Sequence, residues 1–164
     1  MAQPIKAGDT AGADRGLYSR DFHAWTKEQA RLLRARRFEA LDLDNLAEEV
    51  EAVGRSERRE IENRLRVLVA HLLKWRYQPG ARSAGWRGTI TEQRARLSRV
   101  LADSPSLRSF PSEAFDLAYL SGRLLAAKET GMDFTLFPET PPFTIDQVLD
   151  DGYLPVEPGL FDPS

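Results

Sequence analysis

A chain of 164 residues is long enough for one domain and leaves little room for two. With 41% hydrophobic and 29% charged residues it is too apolar for full disorder. It has no cysteine and only two histidines, His23 and His71, which excludes a disulfide scaffold, cysteine-rich zinc sites, thiol catalysis and a multi-histidine metal centre.

The apolar run Val67–Leu73 is far too short to cross a bilayer, and Met1 to Gly16 carry no apolar leader core. The expected setting is a reducing cytoplasm. Charge is distributed in blocks. Residues 1–54 carry 8 Lys/Arg against 10 Asp/Glu, residues 55–99 carry 12 against 4, and residues 100–164 carry 3 against 11. Either the acidic C-terminal third folds over the basic middle, or the middle faces an anionic partner. A pI near 5.8 and the lack of aromatics interleaved with the basic residues weigh against nucleic acid.

In chain order, residues 1–16 read as a flexible tail. Ser19 is the expected N-cap of a first helix reaching about Arg37, with Phe22, Trp25, Leu32 and Leu33 near one face. A second helix opens at Asp42-Leu43-Asp44. Its apolar stripe of Leu43, Leu46, Val50 and Val53 stays in register with Ile61, Leu65, Leu68, Leu72 and Trp75. That register favours one helix from about 43 to 77, running through Gly54, over a break there. Gln78-Pro79-Gly80 ends it.

Thr89 and Glu92 have the spacing of a capping box for a third helix, with Trp86, Ile90, Leu97, Val100 and Leu101 on its buried side. Ser104-Pro105 stops it near Asp103. Pro111 opens a fourth helix, in which Leu117, Leu120, Leu124 and Ala127 are expected to face inward, and Gly131 closes it. Prolines and aromatics from Met132 to Phe143 suit an extended segment laid over a helical body. Thr144 and Gln147 cap a short last helix to about Asp151. No stretch alternates with period two. The expected fold is therefore all-α: an antiparallel bundle of about four main helices, one long, with an extended Pro/Phe-rich C-terminal wrap and a short terminal helix. The expected domain is 17–155, with tails at 1–16 and 156–164.

Several stretches carry a family likeness: Asp21-Phe22-His23-Ala24-Trp25; Leu43 to Glu51, running on to Gly54-Arg55-Ser56-Glu57-Arg58-Arg59; and His71-Leu72-Leu73-Lys74-Trp75 with Tyr77-Gln78-Pro79. Trp86, Thr89-Ile90, Glu92-Gln93-Arg94, Asp103 to Leu107 and Phe137-Pro138 extend it. Over roughly residues 17–155 the chain resembles the bacterial domain-of-unknown-function family numbered twenty-nine. The resemblance implies an all-helical domain and carries no activity with it.

The candidate chemistry is acidic. Glu48, Glu49, Glu57 and Glu60 are the candidate metal ligands, since clustered carboxylates suit Mg²⁺ or Mn²⁺ held against a phosphate. With His71, Glu49 and Glu60 are also the catalytic candidates. In a continuous helix Glu49, Glu60 and His71 share a face but stand about 16 Å apart per step, so none could share an ion within that helix. The pairing of Glu48-Glu49 with Glu57 and Glu60 loosely resembles the all-helical nucleotide pyrophosphohydrolases, whose carboxylates hold magnesium. Against this, glutamates and arginines three and four apart are also what a solvated helix face looks like. His71, on the flank of the apolar stripe, fits a core or boundary residue equally well. Arg55, Arg58, Arg59, Arg94 and Arg96 are the anion-binding candidates. Gln93, polar on an apolar face, needs a partner, with His71 or Glu57 suited to it. The leading expectation is a helical domain acting through protein contacts, with no cofactor and no membrane, homo-oligomerisation left open. A metal-dependent hydrolase of phosphate compounds is the alternative, and a nucleic-acid or anion binder the second.

Overall fold

The computed structural model describes residues 16–156; apart from Gly16 and Val156, the expected tails lie outside the described residues. The fold is all-α; among the described residues there is no strand, and no helix is long and apolar enough to cross a membrane. The chain divides into two compact units, Met1–Arg55 and Ser56–Ser164.

In the N-terminal unit a helical stretch at 16–20 precedes α1, Phe22–Arg34. Asp21, not Ser19, is the N-cap, its carboxylate accepting the Ala24 N–H at 2.9 Å. α1 also stops short of Arg37. Arg36 adopts φ 55°, while the N–H groups of Arg36 and Arg37 donate back to Leu33 and Leu32. This is a Schellman ending, with an arginine in the place glycine usually takes. Asp42 organises the rest of the unit. Its buried carboxylate accepts from Trp25 Nε1 at 3.2 Å and Asn45 at 2.7 Å, and its backbone N–H donates to Gln29 Oε1 at 2.9 Å. Burying a carboxylate is costly unless it is hydrogen-bonded, and here it is.

α2, Leu43–Tyr77, is one helix through Gly54, as the register predicts. Its expected stripe is only half buried. In the N-terminal unit Leu43, Val50 and Val53 are exposed, whereas in the C-terminal unit Ile61, Leu65, Leu68 and Leu72 are fully buried. From Leu68 to Lys74 every residue is buried, so this stretch is covered on all sides and forms the centre of the C-terminal unit.

Around it stand α3, Ala84–Asp103, and α4, Phe110–Thr130. Ser83 is the N-cap of α3, its hydroxyl accepting the Trp86 N–H, so Thr89 and Glu92 lie inside the helix instead of capping it. Glu92 pairs with Arg96 at 2.8 Å, one turn on. α4 ends at Gly131 with φ 70°, as expected. The segment after it buries Phe137 and Phe143 and is tied to α4 by side chains. Tyr119 donates to the Pro138 carbonyl at 2.7 Å, and Arg123 to that of Phe137 at 2.7 Å. α5, Ile145–Leu149, carries the expected reciprocal cap between Thr144 and Gln147.

The face α4 turns inward differs from the expected one. Ala114, Ala118, Gly122 and Ala126, four apart, are buried, while Leu117, Leu120 and Leu124 face solvent. The reason is the closeness of α2: a Cβ on Gly122 would stand 2.5 Å from Val69 Cγ1 and 3.1 Å from the Arg66 carbonyl oxygen. Only small residues fit there, and the leucines are left outside.

Candidate functional site

Each candidate carboxylate already has a neighbour or faces water. In the N-terminal unit Glu48 is exposed, and Glu49 accepts the Tyr18 hydroxyl at 2.6 Å. That hydrogen bond, with burial and the nearby Glu48 charge, pushes the Tyr18 pKa up to about 12, so the phenol acts as a donor. In the C-terminal unit Glu57 and Glu60 line one cleft of about 480 Å³ with Arg64, Arg96, Arg99 and Asp103. There Glu57 accepts the Ser104 hydroxyl at 2.9 Å, and Glu60 Oε1 takes two Arg64 nitrogens at 2.7 and 2.9 Å. Arg64 also reaches Gln93 Oε1 at 3.3 Å, which supplies the partner that Gln93 needs. Among the described residues no three or more His, Asp or Glu come together to hold a metal.

His71 sits in a different polar cluster. Its Nδ1 lies 2.9 Å from the Val67 carbonyl, which can only accept, so Nδ1 carries the proton and Nε2 is left as an acceptor. Lys74 Nζ is 3.5 Å from that Nε2, donates to Glu129 at 2.7 Å and lies 4.6 Å above the Trp86 ring. Burial holds the His71 pKa below its ordinary value. The Lys74 charge adds to this, while the Val67 bond and Glu129 oppose it. The cluster satisfies a buried ammonium with a carboxylate, an imidazole and an aromatic face.

The arginines serve separate purposes. Arg55 pairs with Glu51 at 3.3 Å in the N-terminal unit. In the C-terminal unit Arg58 stacks over Phe110 at 4.8 Å, Arg59 is exposed, and Arg96 pairs with Glu92. Arg94 is turned inward. Its guanidinium donates to the carbonyls of Val148 at 2.8 Å, Gln147 at 3.3 Å and Asp151 at 3.5 Å, satisfying the end of α5. Burial lowers its pKa, against the pull of Asp151, Asp150 and Tyr153. An arginine occupied with three carbonyls has little left for an external anion.

The feature the sequence reading missed is the outward row on α4. Leu117, Leu120 and Leu124 are 63%, 47% and 56% exposed, at spacings of three and four. Three large apolar side chains on one helix face form a contiguous patch, unlike single exposed leucines, which need no explanation. A shallow groove of about 180 Å³ runs beside Leu117, lined also by Glu62, Asn63, Arg66 and Ser121. The signal was present as a second stripe, Ala114, Ala118, Gly122 and Ala126, that competes with the leucines for the core.

The model of the family described as a domain of unknown function, DUF29, matches residues 17–154. No curated protein and no solved structure matches the chain.

Proposed function

The chain belongs to the DUF29 family, and from that premise we propose that it acts through protein contacts made by the outer face of α4. The observation that supports this reading is the row Leu117, Leu120 and Leu124, left in water while the stripe Ala114, Ala118, Gly122 and Ala126 of the same helix is buried. Apolar patches of this kind on a folded surface commonly mark partner sites. The reading needs no cofactor, and a cysteine-free chain suits a reducing cytoplasm.

The hydrolase alternative would use Glu57 and Glu60 with Mg²⁺ or Mn²⁺. It is less favoured because a cation would have to displace Ser104 from one carboxylate and Arg64 from the other. The anion-binding alternative is less favoured because Arg94 is committed to α5.

The contact reading is tested by a photo-crosslinking residue at position 120 in living cells, against the same residue at exposed Arg99 in the same unit. A discrete adduct from position 120 alone is expected. Equal adducts from both positions, or none from 120, would overturn the reading. Millimolar Mg²⁺ should leave the melting temperature unchanged. An upward shift abolished by Glu60→Gln would instead promote the hydrolase, because a cation at a hundred times its dissociation constant adds about 2.7 kcal/mol.

A further inference from the structure

The outer face of α4 has polarity along its length as well as apolar surface. Glu113 and Asp116 stand exposed toward its N-terminal end, the three leucines in the middle, and Lys128 exposed toward its C-terminal end. Glu113 accepts the Ser109 hydroxyl at 2.9 Å. Glu129, beside Lys128 in sequence, spends its charge inward on Lys74. Leucines at spacings of three and four make a narrow seam suited to one partner helix. A helix fitting that seam must bring a cation to the Glu113 end and an anion to the Lys128 end. α4 itself, turned end for end, meets both requirements.

We propose that the outer face of α4 seats the same face of a second copy of this chain, with the two helices antiparallel about a two-fold axis near Leu120. Leu117 of each copy then meets Leu124 of the other, and Glu113 with Asp116 faces Lys128. The arrangement is isologous, so it closes as a dimer and does not propagate into filaments. Reversing the direction would place acid against acid at one end and base against base at the other. Three leucines fall well short of the roughly 800 Å² per partner of a stable interface, so the dimer is weak and populated at high protein concentration. The proposal rests on the reading of α4 as a contact surface and names its partner.

The chain has no cysteine, so introduced thiols report without background. Leu120→Cys, checked for native helicity, should form a disulfide-linked dimer on mild oxidation at about 100 μM, because the axis brings the two positions together. Glu113→Cys and Lys128→Cys should cross-link to each other when mixed and not to themselves. These positions are about 22 Å apart along one helix and meet only when the helices are antiparallel. Self-linking by Glu113→Cys would overturn the proposal by showing parallel pairing. A monomeric Leu120→Cys whose thiol reacts freely with maleimide would overturn self-pairing and leave the contact reading standing. A monomeric Leu120→Cys whose thiol is protected would overturn both.

Discussion

Gly122 lies so close to Val69 that a Cβ added to the glycine would stand 2.5 Å from Val69 Cγ1 and 2.9 Å from Val69 Cβ. This contact determines which face of α4 is buried. Gly122→Ala is expected to destabilise the chain by about 1–3 kcal/mol, since the new methyl meets both a packed valine and the Arg66 carbonyl. Ordinarily the same change within a helix stabilises by about 1 kcal/mol, so the sign is diagnostic. Adding Val69→Ala should recover part of the loss by making room. A denaturant melt in which Gly122→Ala is neutral or stabilised would show that α4 stands further from α2.

The helices themselves were legible in the sequence because their punctuation is local. Pro105, Gly131 and the pair Thr144 and Gln147 each act within one turn, and each sits where expected. The register that carries α2 through Gly54 is local too. The orientation of α4 was not legible by the same logic. Two stripes fit a helical period equally well, and apolar size alone favours the leucines for the core. Close approach between helices reverses that preference, and it depends on what stands opposite, Val69, fifty-three residues away in the chain. The polar partners divide the same way. Glu60 with Arg64 and Glu92 with Arg96 follow from four-residue spacing. Lys74 with Glu129 and Arg94 with the carbonyls of α5 join the basic middle to the acidic end. The charge blocks hinted at that union without naming its members.

Two backbone positions should respond in a way their neighbours cannot explain. Gly54 is helical with nothing within 4 Å of an added Cβ, so Gly54→Ala should stabilise by up to about 1 kcal/mol, through the lost freedom of the unfolded chain. Arg36 is the reverse case. At φ 55° its side chain sits in left-handed backbone, and Arg36→Gly should stabilise by about 1 kcal/mol. Destabilisation of either variant in a denaturant melt would contradict the backbone conformation assigned there.

The Lys74 cluster predicts a pH dependence with a definite sign. His71 is held neutral in the fold, with its pKa below the ordinary value near 6.5 that it regains on unfolding. As pH falls through that unfolded value, the unfolded chain takes up a proton that the folded chain refuses, and stability drops. The loss continues until the pH reaches the lowered folded value. His71→Gln should flatten this part of the profile, and an unchanged slope between pH 7 and 5.5 would sink the assignment. Glu129→Gln should cost about 1–2 kcal/mol by leaving a buried ammonium with weaker partners. It should cost less than the 3–5 kcal/mol of a fully buried pair, because the Glu129 side chain remains 38% exposed. Lys74→Met should be milder than Glu129→Gln, since it removes the buried charge itself.

Arg94 gives the sharpest test of how the C-terminal segment is held. Its fork reaches the carbonyls of Gln147 and Val148 in the last turn of α5, only five residues long, and that of Asp151 in the turn just after it. Lysine in its place would keep the charge but lose the planar array of donors, and one ammonium cannot span three carbonyls. Arg94→Lys is therefore expected to destabilise by about 1–3 kcal/mol, the cost of acceptors left unsatisfied at a buried site. Hydrogen exchange should show where the loss falls. Amides of residues 145–153 should open at lower free energy than those of α2, while the centre around Leu68 to Leu72 keeps its protection. Protection lost evenly along the chain would mean that Arg94 supports the whole C-terminal unit, and α5 no more than the rest.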